Sequence, residues 1–137
     1  MPRAAGYNKY MLDSGVVMAT IPVTELLRAQ EFYQNTLGLK PGQAFPNGII
    51  MHTKNKTAVA LFQRPPTNRQ NTAAWFVVNN FDETVKELRA KQVSFDEYDM
   101  PGMSSLGEGI YQFGSVKAAW FKDSEGNILS ITENFTK

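Results

Sequence analysis

The sequence predicts an α+β fold made of two copies of one β-α-β-β-β unit, laid end to end in a chain of 137 residues. Three observations carry that expectation. Short runs rich in β-branched and aromatic residues alternate with two stretches whose apolar residues recur at helical spacing. The order strand, helix, three strands is met twice, and Val23 and Val78 close the matching first strands 55 positions apart (23 to 78). Turn residues stand at the junctions. Each unit alone leaves one face of a small sheet uncovered. Pairing two lets the helices cover the outer faces while the inner faces enclose a cleft.

The first unit spans residues 16–64 and the second 72–134, within a single domain of 1–137. Val16 to Val23 reads as a buried strand. Thr24 can cap a helix, with Glu25 in its first turn near the positive end of the dipole. Leu26, Ala29, Tyr33 and Leu37 then form an apolar stripe that Phe32 widens, and Gly38 suits the left-handed position that ends a helix. Strands follow at Gly42–Phe45, Ile49–Thr53 and Thr57–Gln63, parted by Pro46-Asn47-Gly48 and Lys54-Asn55-Lys56. Residues 65–71, with two prolines and no aliphatic side chain, read as a linker. Ala73–Val78 opens the second unit. Asn80 with Glu83 resembles a capping box, and Phe81, Val85 and Leu88 stripe a second helix that Lys86, Arg89 and Lys91 favour at its C-terminal end. Ser94–Tyr98, Ala118–Phe121 and Ile128–Glu133 complete the set, with Asp123 to Asn127 as the last turn.

Composition excludes several functions. Fourteen Lys and Arg against thirteen Asp and Glu leave a net charge of +1, which provides no electrostatic footprint for nucleic acid or an anionic membrane surface. With no cysteine, disulfide scaffolds, Cys-based zinc sites and thiol nucleophiles fall away, and the lone His52 excludes a histidine-rich metal cage within one chain. No run approaches the ~20 apolar residues of a membrane span. The first fifteen residues hold no apolar stretch of signal length, so a soluble cytoplasmic protein is expected, with residues 1–15 as a loose arm or an added edge.

Certain stretches point further. Phe32-Tyr33 and Leu37-Gly38-Leu39 close the first helix. Val78-Asn79-Asn80-Phe81-Asp82 leads into Thr84 and Leu88. Trp120 to Asn127 ends on an Asp-x-x-Gly-Asn hairpin. In this order and spacing, from about Val16 to Glu133, they resemble the vicinal oxygen chelate superfamily of glyoxalase I, bleomycin-resistance proteins and extradiol dioxygenases. The resemblance implies a paired glyoxalase-like sheet around a cleft, and a homodimer. One departure is Gln92, where the second helix of the family usually ends in glycine.

Metal enzymes of that family take His, Gln or Glu ligands from the first and last strand of each module. Carried over by spacing, those positions are Met18, Ala60, Ala73 and Ser130, none of them a ligand for a hard or borderline divalent ion. No metal and no cofactor are therefore expected. Period-2 alternation turns Met18, Thr20, Ala58, Ala60, Phe62, Ala73, Trp75, Val77, Ser130 and Thr132 inward. It sends Val17, Ala19, Ile21, Val59, Leu61, Ala74, Phe76, Leu129 and Ile131 under the helices. The inward wall, mostly apolar with aromatic rings and a few hydroxyls, suits a flat, weakly polar organic ligand stacked on Trp75, Phe62 or Trp120. A filled centre with no cavity is the bland reading, set against three alanines that would underfill it.

Other candidates are weaker. His52 has a reference pKa near neutrality and could act as a general base, but a lone strand histidine is more often structural, and no carboxylate neighbours it in sequence. Asp96, Glu97 and Asp99 cluster around Tyr98 as acid and base candidates or as a solvated strand edge. Residues 99–114 are glycine-rich and read as a lid over the cleft, with Met103 and Tyr111 touching a ligand, or as a long loop with a short strand inside it. The leading expectation is metal-independent sequestration of an aromatic small molecule. The alternatives are a glyoxalase-like lyase or isomerase, or a dioxygenase relative, working through non-standard residues, and an interaction module with a filled cleft.

Overall fold

The computed structural model describes residues 12–68, 70–99 and 101–134. The expectation of an arm or edge over residues 1–15 lies mostly outside them; Leu12–Ser14 form one 3-10 turn. The first module runs β1 (Ala19–Val23), α1 (Leu26–Glu31), a π-helical turn (Phe32–Thr36), β2 (Lys40–Phe45), β3 (Gly48–His52) and β4 (Ala58–Gln63). The second runs β5 (Thr72–Val78), α2 (Phe81–Ala90), β6 (Ser104–Gly107), β7 (Ile110–Phe113), β8 (Val116–Lys122) and β9 (Ile128–Glu133).

The repeat is real in the topology. The first sheet has the order β1-β4-β3-β2 and the second β5-β9-β8-β7-β6. In each, the first strand is parallel to the last, β1 with β4 and β5 with β9, while the strands between are antiparallel hairpins. A parallel pair needs a crossover, and the helix supplies it. β6 is the one addition, and β1 lies beside β5 where the modules meet.

One hydrophobic core runs through both modules. Ile21, Val59, Leu61, Leu129 and Ile131 are buried on the helix side, as alternation predicts, against Ala29 and Tyr33 of the first module and Phe81, Val85 and Leu88 of the second. Val17 departs from the expectation. It is 92% exposed because β1 begins only at Ala19. The span Ser94–Tyr98 is no strand either. Phe95 makes a single bridge to Phe121, the Asp96 N–H donates to the Trp120 carbonyl, and the Tyr98 N–H turns to the hydroxyl of Tyr111. The loose stretch 99–114 instead supplies β6 and β7.

Helix ends also differ from the expected caps. Glu25, not Thr24, occupies the N-cap position of α1, with no capping bond from its own side chain. At α2 the Asn80 side chain makes no capping bond, and the Thr84 hydroxyl donates to the Asn80 carbonyl at 2.8 Å. The C-terminus of α2 is closed by a Schellman pair, Val93 N–H to the Leu88 carbonyl and Gln92 N–H to the Arg89 carbonyl, both at 3.0 Å. Gln92 takes the left-handed position at φ 72°, so the turn forms without the family's glycine.

The start of α1 is capped from the other module. Glu125, in the β8–β9 turn, accepts through Oε1 from the N–H groups of Thr24 (3.1 Å) and Glu25 (3.0 Å), from the Thr24 hydroxyl (2.8 Å) and from Arg28 Nη2 (2.9 Å). Its Oε2 accepts from Arg28 Nε at 2.7 Å and from the Ser124 hydroxyl at 2.8 Å. The carboxylate is fully buried while Arg28 is 56% exposed. Arg28 first, helped by Ser124 and Thr24, holds Glu125 down to a pKa of about 2 against the opposing effect of burial. Beside it, the Tyr33 hydroxyl donates to Asp123 Oδ2 at 2.6 Å, and Asn127 Nδ2 donates to Asp123 Oδ2 and to the Pro22 carbonyl. Burial first, then Asp123, pushes the Tyr33 phenol far above its ordinary value, so it stays a donor.

Candidate functional site

Each sheet has one face under the helices and one free of them. Cα partners share a face, so the ladders define what the helix-free face carries. In the second module Trp75, Ser130 and Trp120 lie in one row across β5, β9 and β8. Val77, Thr132, Ala118 and Tyr111 form the next. Trp75 is 49% exposed, far more than a core tryptophan, and with Phe113 and Val116 it lines a cavity of about 260 Å³.

The rings on this face are held in place. Trp75 donates its indole N–H to Thr132 Oγ1 at 2.9 Å, and Trp120 donates to Thr72 Oγ1 at 3.2 Å. Tyr98 and Tyr111 meet Trp120 edge to face, with centroids 5.9 and 6.0 Å away. Tyr111 is itself pinned, its hydroxyl donating to the Tyr98 carbonyl at 2.8 Å. Burial first, then Asp96, raises the pKa of Tyr98, and Lys122 bonds Asp96 at 2.7 Å. The acidic cluster thus resolves into one ion pair that supports an aromatic wall.

The first module offers a different surface. Thr20 pairs with Ala60 across β1 and β4, and Phe62 lies two residues further on, with the Arg64 guanidinium 5.5 Å from its ring centre. His52 pairs with Ala58, and its exposed ring rests on Gly42, where a Cβ would lie 2.4 Å from Nε2. Met18 precedes β1 and is half-buried. Met103 lies just before β6, at the far edge of the second sheet from β5.

Of the residues singled out from sequence, Trp75, Trp120, Ser130 and Thr132 come together on the second module. Thr20, Ala60, Phe62 and His52 share the helix-free face of the first. Ala73 does neither. A bulge between Thr72 and Ala74 shifts the ladder by one residue, so Ala73 packs against the core and Thr72 takes the place opposite Ile128. Sequence reasoning missed Thr72 and the buttressing part of Tyr98. It also missed Phe113, for which the alternation within Ile110–Phe113 was the available signal; Tyr111 was named as a ligand contact, not as a support of Trp120.

With Thr72 in the place expected for Ala73, the four family ligand positions offer a thioether, one methyl group and two hydroxyls, a set that does not fit a divalent ion. Among the described residues no three His, Cys, Asp or Glu side chains gather as a metal site would need. No helix of the described residues is long and apolar enough to cross a membrane.

Two βαβββ modules, each with its first strand parallel to its last and one helix-free face, define the vicinal oxygen chelate architecture. Residues 15–131 match the Glyoxalase/Bleomycin resistance protein/Dioxygenase superfamily, and the chain belongs to it. Solved structures share the fold at low identity. An integron cassette protein from the mobile metagenome of the Halifax Harbour sewage outfall is 18% identical, with a TM-score of 0.68 over 88% of this chain and 98% of its own. TnmS3, an antibiotic binding protein from Streptomyces sp. CB03234, is 19% identical, with a TM-score of 0.66 over 90% of this chain and 98% of its own. A lactoylglutathione lyase from Agrobacterium tumefaciens is 17% identical, with a TM-score of 0.62 over 88% and 94%. No curated protein sequence matches this chain.

Proposed function

We propose that the protein binds a small planar aromatic compound on the helix-free face of its second module, without a metal, and sequesters it rather than transforming it. The observation that carries this reading is Trp75. A half-exposed indole costs solvation, yet this one is fixed in orientation by Thr132 and stands two strands away, across β9, from a second fixed indole. Rings held rigid before a ligand arrives lose little entropy on binding. One structural relative is an antibiotic binding protein, which supports small-molecule binding by this fold, and the bare ligand positions support metal independence.

The same reading makes the protein a cytoplasmic homodimer. Trp75, Val77 and Phe113 stand exposed on the helix-free face of the second module, and a second copy would cover them. The test is calorimetric titration of the intact protein with planar aromatic compounds, alongside elemental analysis and light scattering. Trp75→Ala should weaken binding by at least ~30-fold, the scale of a buried aromatic anchor. A stoichiometric divalent metal in the purified protein, or binding indifferent to Trp75, would overturn the proposal.

A further inference from the structure

We infer that Ser130 donates a hydrogen bond to a carbonyl-type oxygen on the ligand, so that the compound taken is an aromatic carbonyl or quinone rather than a plain arene. The inference rests on the aromatic-binding reading above and adds the polarity of the site. Ser130 is 4% exposed and is paired on one side with Trp75 and on the other with Trp120. Its hydroxyl makes no hydrogen bond to any described residue. A buried hydroxyl without a partner costs free energy, and natural structures keep one where a water or a ligand fills the gap.

The neighbours decide which partner is wanted. Both indole N–H groups are already given away, to Thr132 and to Thr72. Those two hydroxyls act as acceptors, and neither gives its proton to a protein acceptor among the described residues. The floor therefore presents hydroxyl protons between two aromatic rings, with no carboxylate or amide oxygen of a neighbouring side chain bonded to them. An oxygen acceptor on the edge of a flat ring satisfies that arrangement. A plain arene, with neither an oxygen acceptor nor an N–H or O–H donor at that edge, leaves the Ser130 hydroxyl unpaired, which a site penalises more than it penalises a missing methylene.

Two probes of one shape separate the possibilities. Anthraquinone-2-sulfonate and anthracene-2-sulfonate differ in the two ring carbonyls and share the flat ring and the charge. Calorimetry on the wild-type protein should give a preference of roughly 5–10-fold for the quinone, the scale of one net hydrogen bond. In Ser130→Ala the preference should vanish while the affinity for the anthracene stays unchanged. Without ligand the variant should be at least as stable as the wild type, because an unpaired polar atom has been removed; a structural hydrogen bond would show the reverse. Equal affinity of the wild type for both probes overturns the inference and leaves the aromatic-binding reading standing. A quinone preference that survives in Ser130→Ala overturns the assignment to this residue. If neither compound binds, both readings fall together.

Discussion

Glu125→Gln isolates the contact that closes α1 from the opposite module. The carboxylate accepts from Thr24, Glu25, Arg28 and Ser124 through both oxygens. An amide keeps one oxygen and turns an N–H₂ toward the remaining donors; the Ser124 hydroxyl can rotate to accept from it, but the Arg28 Nε–H contact becomes a donor-to-donor clash. Breaking a buried ion pair from one side costs about 3–5 kcal/mol, and Arg28 can rehydrate because 56% of its side chain is exposed. We therefore place the loss at about 3 kcal/mol, or roughly 10 °C in Tm for a chain of this size. Urea denaturation at pH 7, followed by circular dichroism, measures it. The pH dependence gives a second reading. Glu125 is held at about 2 against an ordinary 4.5, so its stabilisation is present above pH 4.5 and disappears as the pH falls toward 2. With water screening the exposed side of Arg28, that pH-dependent part is about 2 kcal/mol. The wild type should lose its advantage over Glu125→Gln across this window. A loss below ~1 kcal/mol at pH 7, or a gap that stays constant from pH 6 to pH 2.5, would refute the reasoning.

Three further outcomes follow from named contacts. Tyr33→Phe removes the donor to Asp123 and should cost about 1–2 kcal/mol in urea denaturation, since Asp123 is buried. Gly48→Ala places a Cβ 2.2 Å from the Phe45 ring and 2.5 Å from the Leu61 carbonyl, and the backbone cannot give way. It should cost about 1–3 kcal/mol, whereas Gly42→Ala meets mainly the exposed His52 ring and should cost well under half as much. Gln92→Gly relieves the left-handed strain at φ 72° and, after the added freedom of the unfolded chain, should raise stability by about 0.5 kcal/mol.

The parts of the fold that periodicity governs were legible in the sequence. The strand–helix alternation and the matching order around Val23 and Val78 gave both modules, because a buried face imprints its period on the residues that make it. What escaped was set by contacts distant in sequence. Ser94–Tyr98 has the composition of a strand, but the Tyr98 N–H goes to a side chain instead of a ladder. Glu125 reads locally as a turn residue, and its partners lie about a hundred positions away. At the site, the alternation rule placed Trp75, Ser130 and Thr132 on the helix-free face, and Trp120 lies there as well. It could not see the partners that orient the two indoles, because a rotamer depends on its neighbours across the sheet.

The irregularity in β5 shows how little chain is needed to aim a large ring. Were the strand regular, the methyl group of Ala73 would occupy the slot below Trp120, and the indole would have no oxygen there to hold it. One supernumerary residue slides a threonine into that slot and fixes the pose of a side chain two strands away. Deleting or restoring a single backbone unit at the mouth of β5 is thus a steering adjustment for the whole aromatic wall, made without touching any residue of the wall itself.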